Sequence, residues 1–205
     1  MGRTAKPQSV KALEELGRRQ LSPSFFMRDF LFSDIAAIHG LSNVPDNPDL
    51  AVETGSMLCT QLLEPLQERF GRIAIRSAYR SCTVNAFGNE RGYKCANNEK
   101  NFAGHIWDVP NATGKGAMAC IVVPSFANHF KAEGDWKKLA WWIHDHLPYS
   151  TMEFFPSLFA FNLGWHESPV RSVYSHIPGS QGYLTRPGFD NYVGLHEAEW
   201  AGLFD

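Results

Sequence analysis

Apolar residues recur on a helical period in the first third of the 205-residue chain and on a shorter, strand-like period in the last third. Val10, Leu13 and Leu16, with charges between them, predict a short amphipathic helix over 9–19. Ser33 ahead of Asp34-Ile-Ala-Ala-Ile-His39, with Gly40 behind, reads as an N-cap, a turn or two of helix and a C-terminal glycine. The prolines and asparagines of 42–48 predict a loop. Met57, Leu58, Leu62, Leu63, Leu66 and Phe70 then follow a helical period across 50–70, with Gly71 as the stop, which makes this the main packing helix of the N-terminal half. Ile73 to Ser77 is a short β-branched run and predicts a strand. Residues 78–103 are polar and irregular, the mark of a functional loop or of one that hides a short helix.

Extended segments are expected at 104–109 and 117–123, and helices over 125–132 and 136–146, with Asp135 as N-cap of the second. Strands follow near 150–155, 161–167 and 171–177, and then an irregular tail rich in Gly and Pro. Helices first and a mainly antiparallel sheet after them describe an α+β fold. The chain divides into an N-terminal extension (1–24), a main domain (25–177) and a C-terminal tail (178–205).

A composition of 44% hydrophobic and 20% charged residues suits one globular domain with a sizeable core. The net charge is −2, and no basic block is longer than Arg18-Arg19, which argues against a nucleic-acid partner. The N-terminal stretch lacks the apolar core of a signal peptide, and no run reaches the ~18 apolar residues of a spanning helix, so a soluble, cytoplasmic protein without a membrane partner is expected. Four cysteines with no CxxC pair read as reduced thiols. The 27 aromatics point to a packed core and an interface.

Among the eight histidines, His39, His129 and His196 sit in polar or capping surroundings and read as surface residues. His144 and His146 end a helix two residues apart and point to different sides of it. His105, in Gly104-His-Ile-Trp-Asp108, and His166, in Gly164-Trp-His-Glu167, stand in short apolar runs, where an imidazole needs a hydrogen-bond partner or a metal. With the Asp108 carboxylate they would supply three ligands and leave a fourth position for water, the arrangement of a catalytic zinc. The alternative is a pair of hydrogen-bonded core histidines.

The stretch Arg76-Ser-Ala-Tyr79-Arg80-Ser81, followed by Asn85, resembles the SGYRS...N element of the zinc D-alanyl-D-alanine carboxypeptidase family, which shares its fold with the hedgehog signalling domain. The likeness extends over residues 25–175, through Phe30-Leu-Phe-Ser33-Asp34, Asn43-Val-Pro45, the helix ending Leu63-Glu-Pro65-Leu66, and Trp165-His166. The resemblance implies a hedgehog/DD-peptidase-like domain over 25–177 with Asp108 and His166 as zinc ligands. The place of the family's first histidine falls on Asn101, a weak zinc ligand, and His105 is the candidate replacement, reaching the same metal only across a bulge or turn. Glu153 takes the place of the general base, with Glu167 as fallback, and Arg80 that of the substrate arginine, flanked by Tyr79 and Ser81. A guanidinium suits a peptide's free carboxylate because it offers two parallel hydrogen bonds; the alternative is that Arg80 pairs with an acidic neighbour and braces its loop.

The implied activity is zinc-dependent hydrolysis of the carboxypeptidase or amidase type, the family's usual substrate being a D-amino-acid-ended peptide of peptidoglycan metabolism. Zinc on His105, Asp108 and His166 would bring the pKa of its water towards ~7, and Glu153 would take the proton as that water attacks. Two alternatives stand beside it: a non-catalytic binding domain that kept the fold and lost the metal, as Asn101 suggests, and a metalloenzyme of small-molecule metabolism. The tail beyond Pro178 is expected either to roof the cleft as a lid or to pack on a second copy.

Overall fold

The computed structural model describes residues 4–129, 134–157 and 159–203. Its helices are α1 (Val10–Gly17), α2 (Asp34–His39), α3 (Pro48–Leu58), α4 (Glu64–Phe70), α5 (Cys82–Glu90), α6 (Asn98–Asn101), α7 (Pro124–His129), α8 (Trp136–His146) and α9 (Glu197–Trp200). Strands β1 (Gln20–Ser22) and β2 (Phe25–Phe26) form a separate small hairpin. Strands β3 (Ala74–Ser77), β4 (Gly116–Val122), β5 (Thr151–Phe154), β6 (Phe161–His166), β7 (Ser172–Ser175) and β8 (Gly182–Thr185) form one sheet in the order β3-β4-β6-β5-β7-β8. The class is α+β as expected, but the sheet is mixed, because β5 and β7 run parallel.

Local signals account for several helix ends. Ser33 accepts from the Ala36 amide at the start of α2, and Gly40 closes it at φ +63°, a conformation that costs glycine no Cβ clash. The long packing helix is two α-helices joined by a π turn over Cys59–Leu63. Pro65 explains the interruption: it has no N–H to give, and its ring would strike the Gln61 carbonyl four residues back, so the preceding turn widens. Leu58, Leu62, Leu63 and Leu66 are all fully buried, so the widened turn keeps the apolar stripe on the core.

Ala119, Ile121, Met152, Phe154, Phe161, Leu163 and Val173 alternate onto one face of the sheet, against α3, the π turn and α8. The opposite face carries Ser77, Cys120, Asn162, Glu153 and Tyr174, and most of this set is only partly covered.

Of three expectations, the hidden-helix alternative for 78–103 holds and two others change. Residues 78–103 hide two short helices, α5 and α6. Residues 104–109 are not a strand but a set of tight turns, closed by Gly104 N–H and Ile106 N–H to Asn101 O (2.9 and 3.0 Å) and by Ala103 N–H to Val109 O (2.8 Å). The tail contributes β8 to the sheet and α9 to the face of α8. The end of the helix expected over 125–132 lies outside the described residues.

Candidate functional site

Trp107 organises the turn segment. Its ring is fully buried against α3, where Gly55 makes room for it: a Cβ on Gly55 would lie 2.7 Å from the ring. Its indole N–H donates to Met118 O (3.0 Å), and its carbonyl accepts from the Thr54 hydroxyl (3.2 Å). With the ring anchored inside, the neighbours on either side are sent in different directions. Ala103 is held at φ +55° in the same segment, a left-handed conformation that L side chains adopt at a cost of order 1 kcal/mol or more.

Asp108 turns towards the start of α3. Its Oδ2 accepts the Asp46 and Asn47 amides (2.8 and 3.2 Å), and its Oδ1 accepts the Tyr79 hydroxyl (3.2 Å). An anion at a helix N-terminus is favoured by the orphan amides and the dipole. Tyr79 is fully buried, and its hydroxyl pKa is pushed up by burial and then by the Asp108 charge, so it serves as a neutral donor. Tyr79, expected beside a substrate, is thus turned into the core.

His105 faces the other way. Its Nδ1–H donates to Ala78 O (2.8 Å), and the Asn162 side chain lies on its other side. Burial, with the Arg80 charge adding to it, pulls its pKa down to about 3, so the ring is neutral throughout the physiological range. His166, at the end of β6, accepts the Ser168 amide on Nδ1 (2.9 Å), which leaves Nε2–H to donate to Asn111 Oδ1 (3.3 Å).

The three expected zinc ligands are therefore held by three separate sets of partners. Among the described residues no group of three His, Cys, Asp or Glu side chains is gathered so as to hold a metal ion. Asn101, at the place of the family's first histidine, donates to Asn85 Oδ1 (3.1 Å) and Ala96 O (3.2 Å). The donor set as arranged does not fit a zinc centre: the carboxylate is committed to amides, and both imidazoles spend their donors and acceptors on neighbouring chain.

What the fold does assemble surrounds Arg80. Asn85 accepts from Arg80 Nη1 (3.1 Å) as well as from Asn101, and its own amide donates to Ala96 O (3.0 Å) and Asn98 Oδ1 (2.9 Å). Arg80 Nη1 also donates to Cys95 Sγ (3.1 Å). Every partner is neutral: among the described residues no carboxylate lies within 4.0 Å of this half-buried guanidinium, whose pKa burial lowers. The alternative in which Arg80 pairs with an acidic neighbour is corrected, because amides and a thiol do the bracing. Ser81 is structural as well, capping α5 through Val84 N–H and donating its hydroxyl to Ser42 O (3.0 Å).

Beside Arg80 lies Cys120, whose thiol burial pushes up to about 11 against the pull of Arg76 and Arg80. Asn162 follows across the sheet and donates to Glu153 Oε2 (2.8 Å), so Glu153 faces the open side while Glu167 is bound to the Lys115 amide elsewhere. Cys95, Cys120 and Asn162 were not singled out from the sequence. The readable signal was the density of asparagine, five of them between 85 and 101.

The end of the tail packs on α8. His196, expected at the surface, donates its backbone N–H to Asp145 Oδ2 (2.7 Å), and its Nδ1 lies 2.7 Å from Asp145 Oδ1. Trp200 Nε1 also reaches Asp145 (2.8 Å), and the His196 ring stacks on Trp141 at 4.0 Å. These contacts pin the tail to α8, which packs on the covered face of the sheet. Comparison of the chain with protein-family models, with curated proteins and with solved structures finds no match.

Proposed function

We propose that the protein is a binding domain that receives the free carboxylate of a peptide-like ligand on the open face of its sheet and works without a bound metal. The observation that carries this reading is Arg80, a half-buried cation with only neutral partners beside an open polar face. Leaving a cation partly desolvated and unpaired is costly, and a carboxylate arriving at its remaining donors would complete the pair. In this reading the chain is a hedgehog/DD-peptidase-like domain that kept its architecture and lost its metal. Asn101 in the histidine position and the commitment of Asp108 to the start of α3 support it. A reducing, cytoplasmic setting belongs to the same reading, supported by four free cysteines. Among the described residues no helix is long and apolar enough to cross a membrane.

Calorimetric titration in EDTA with N-acetyl-glycyl-alanine and with its C-terminal amide tests the proposal. A hydrogen bond to a charged group is worth about 1.5–3 kcal/mol, so the free acid is expected to bind at least tenfold more tightly than the amide. Arg80→Gln is expected to remove the difference. Equal binding of acid and amide would overturn the reading, and binding or turnover that appears only after zinc is added would restore the zinc hydrolase.

A further inference from the structure

Register places one residue from each of the six strands in a single row across the open face. Ser77 is opposite Cys120, Cys120 opposite Asn162, Asn162 opposite Glu153, Glu153 opposite Tyr174, and Tyr174 opposite Tyr183. Partners in register share a face, and two contacts confirm this row: the Asn162–Glu153 hydrogen bond, and the Tyr174–Tyr183 ring contact at 5.0 Å. At the far end the Arg186 guanidinium lies over the Tyr183 and Phe189 rings at 4.5 and 5.2 Å. Both rings are exposed, and the three side chains, with Ser172, line a cleft of about 390 Å³. Among the described residues Arg186, like Arg80, has no acidic partner.

Building on the Arg80 reading, we propose that the ligand is an extended peptide-like chain of about five residues with an anion at each end. Its C-terminal carboxylate sits on Arg80 and an acidic side chain sits on Arg186, whose guanidinium rests on the rings of Tyr183 and Phe189. The length follows from the row. Four strand-to-strand steps separate Cys120, beside Arg80, from Tyr183, and at ~4.8 Å each they span ~19 Å. An extended chain covers ~3.3–3.6 Å per residue, so five or six residues bridge the two cations. Glu153 at mid-row sets the charge pattern, because a carboxylate there repels an acidic residue in the ligand's centre. Aromatic faces suit the far end because they fix the Arg186 guanidinium in place by cation–π contact before the anion arrives.

The test compares N-acetyl-Glu-Gly-Gly-Gly-Ala, its N-terminal Gln counterpart and N-acetyl-Gly-Ala on the full chain, with amide shifts followed by NMR. The Glu pentapeptide is expected to bind at least fivefold more tightly than the other two and to shift amides of β7 and β8. Arg186→Gln and Tyr183→Ala are expected to erase that advantage while leaving dipeptide binding unchanged, which also shows that the variants are folded. Equal affinity for all three peptides, with Arg80→Gln still weakening each, would overturn the extended site and leave the Arg80 reading in place. No binding of any peptide would overturn both.

Discussion

The Asp108 carboxylate separates a capping role from a metal-binding one by a pair of substitutions. Asp108→Asn keeps one oxygen and gains an amide. The oxygen can still accept from the Asp46 and Asn47 N–H groups, while the new N–H₂ faces the Tyr79 hydroxyl, which accepts in its turn. Only the charge at the start of α3 is lost, about 0.3–1 kcal/mol. Asp108→Ala strips the acceptor from three donors, one of them the fully buried Tyr79 hydroxyl, at about 1 kcal/mol or more each. The total is about 3–4 kcal/mol. For a domain of this size each kcal/mol moves the melting temperature by about 2–4 °C, so the Asn variant is expected within about 4 °C of the native protein and the Ala variant roughly 10 °C below it. Calorimetric scans with and without EDTA measure both. A native protein whose melting point falls in EDTA, or an Asn variant as damaged as the Ala one, would refute the capping argument.

Acid should act through His105. An unfolded imidazole takes its proton near pH 6.5 and the folded one only near 3, so between those values the unfolded chain binds more protons. The stabilisation is complete above about pH 6.5 and is lost as pH falls towards 3, about 5 kcal/mol at most; urea midpoints against pH should show this slope, flattened in His105→Gln. Asn101→His removes two buried hydrogen bonds and is expected to cost about 2 kcal/mol without creating a stoichiometric zinc site, which urea unfolding and metal analysis check together. Asp145→Asn weakens the anchor of His196 and Trp200, with an expected loss of about 2 kcal/mol and a changed tryptophan emission; unchanged emission would mean that the tail holds without it.

Helices were legible where the signal is local: Ser33 and Gly40 bound α2, and the leucine period marks α3 to α4. The π turn was not, because it arises from Pro65 acting on the turn before it. Residues 104–109 read as a strand because Ile106 and Trp107 are a buried apolar pair, the appearance a short inner strand would have. Their true course depends on Thr54, Asp46 and Asn101, partners that local pattern does not disclose. The same limit applies to the site. Arg80 and Glu153 were singled out from the sequence, as substrate arginine and general base, whereas the asparagine lattice that holds Arg80 joins residues up to 16 positions apart and becomes visible only when the turns close. His105 and His166 were grouped because both stand in short apolar runs and because of the family resemblance, and the anchoring of Trp107 in the core sends the first away from Asp108.

The pairing of β8 with β7 matters to anyone shortening the chain. With β8 supplied from the tail, β7 is an inner strand; a truncation at Pro178 would turn it into a rim with unsatisfied amides and carbonyls. Such a truncated protein should stick to its own copies edge to edge, and its loss from solution would report that exposed border rather than any uncovered cleft.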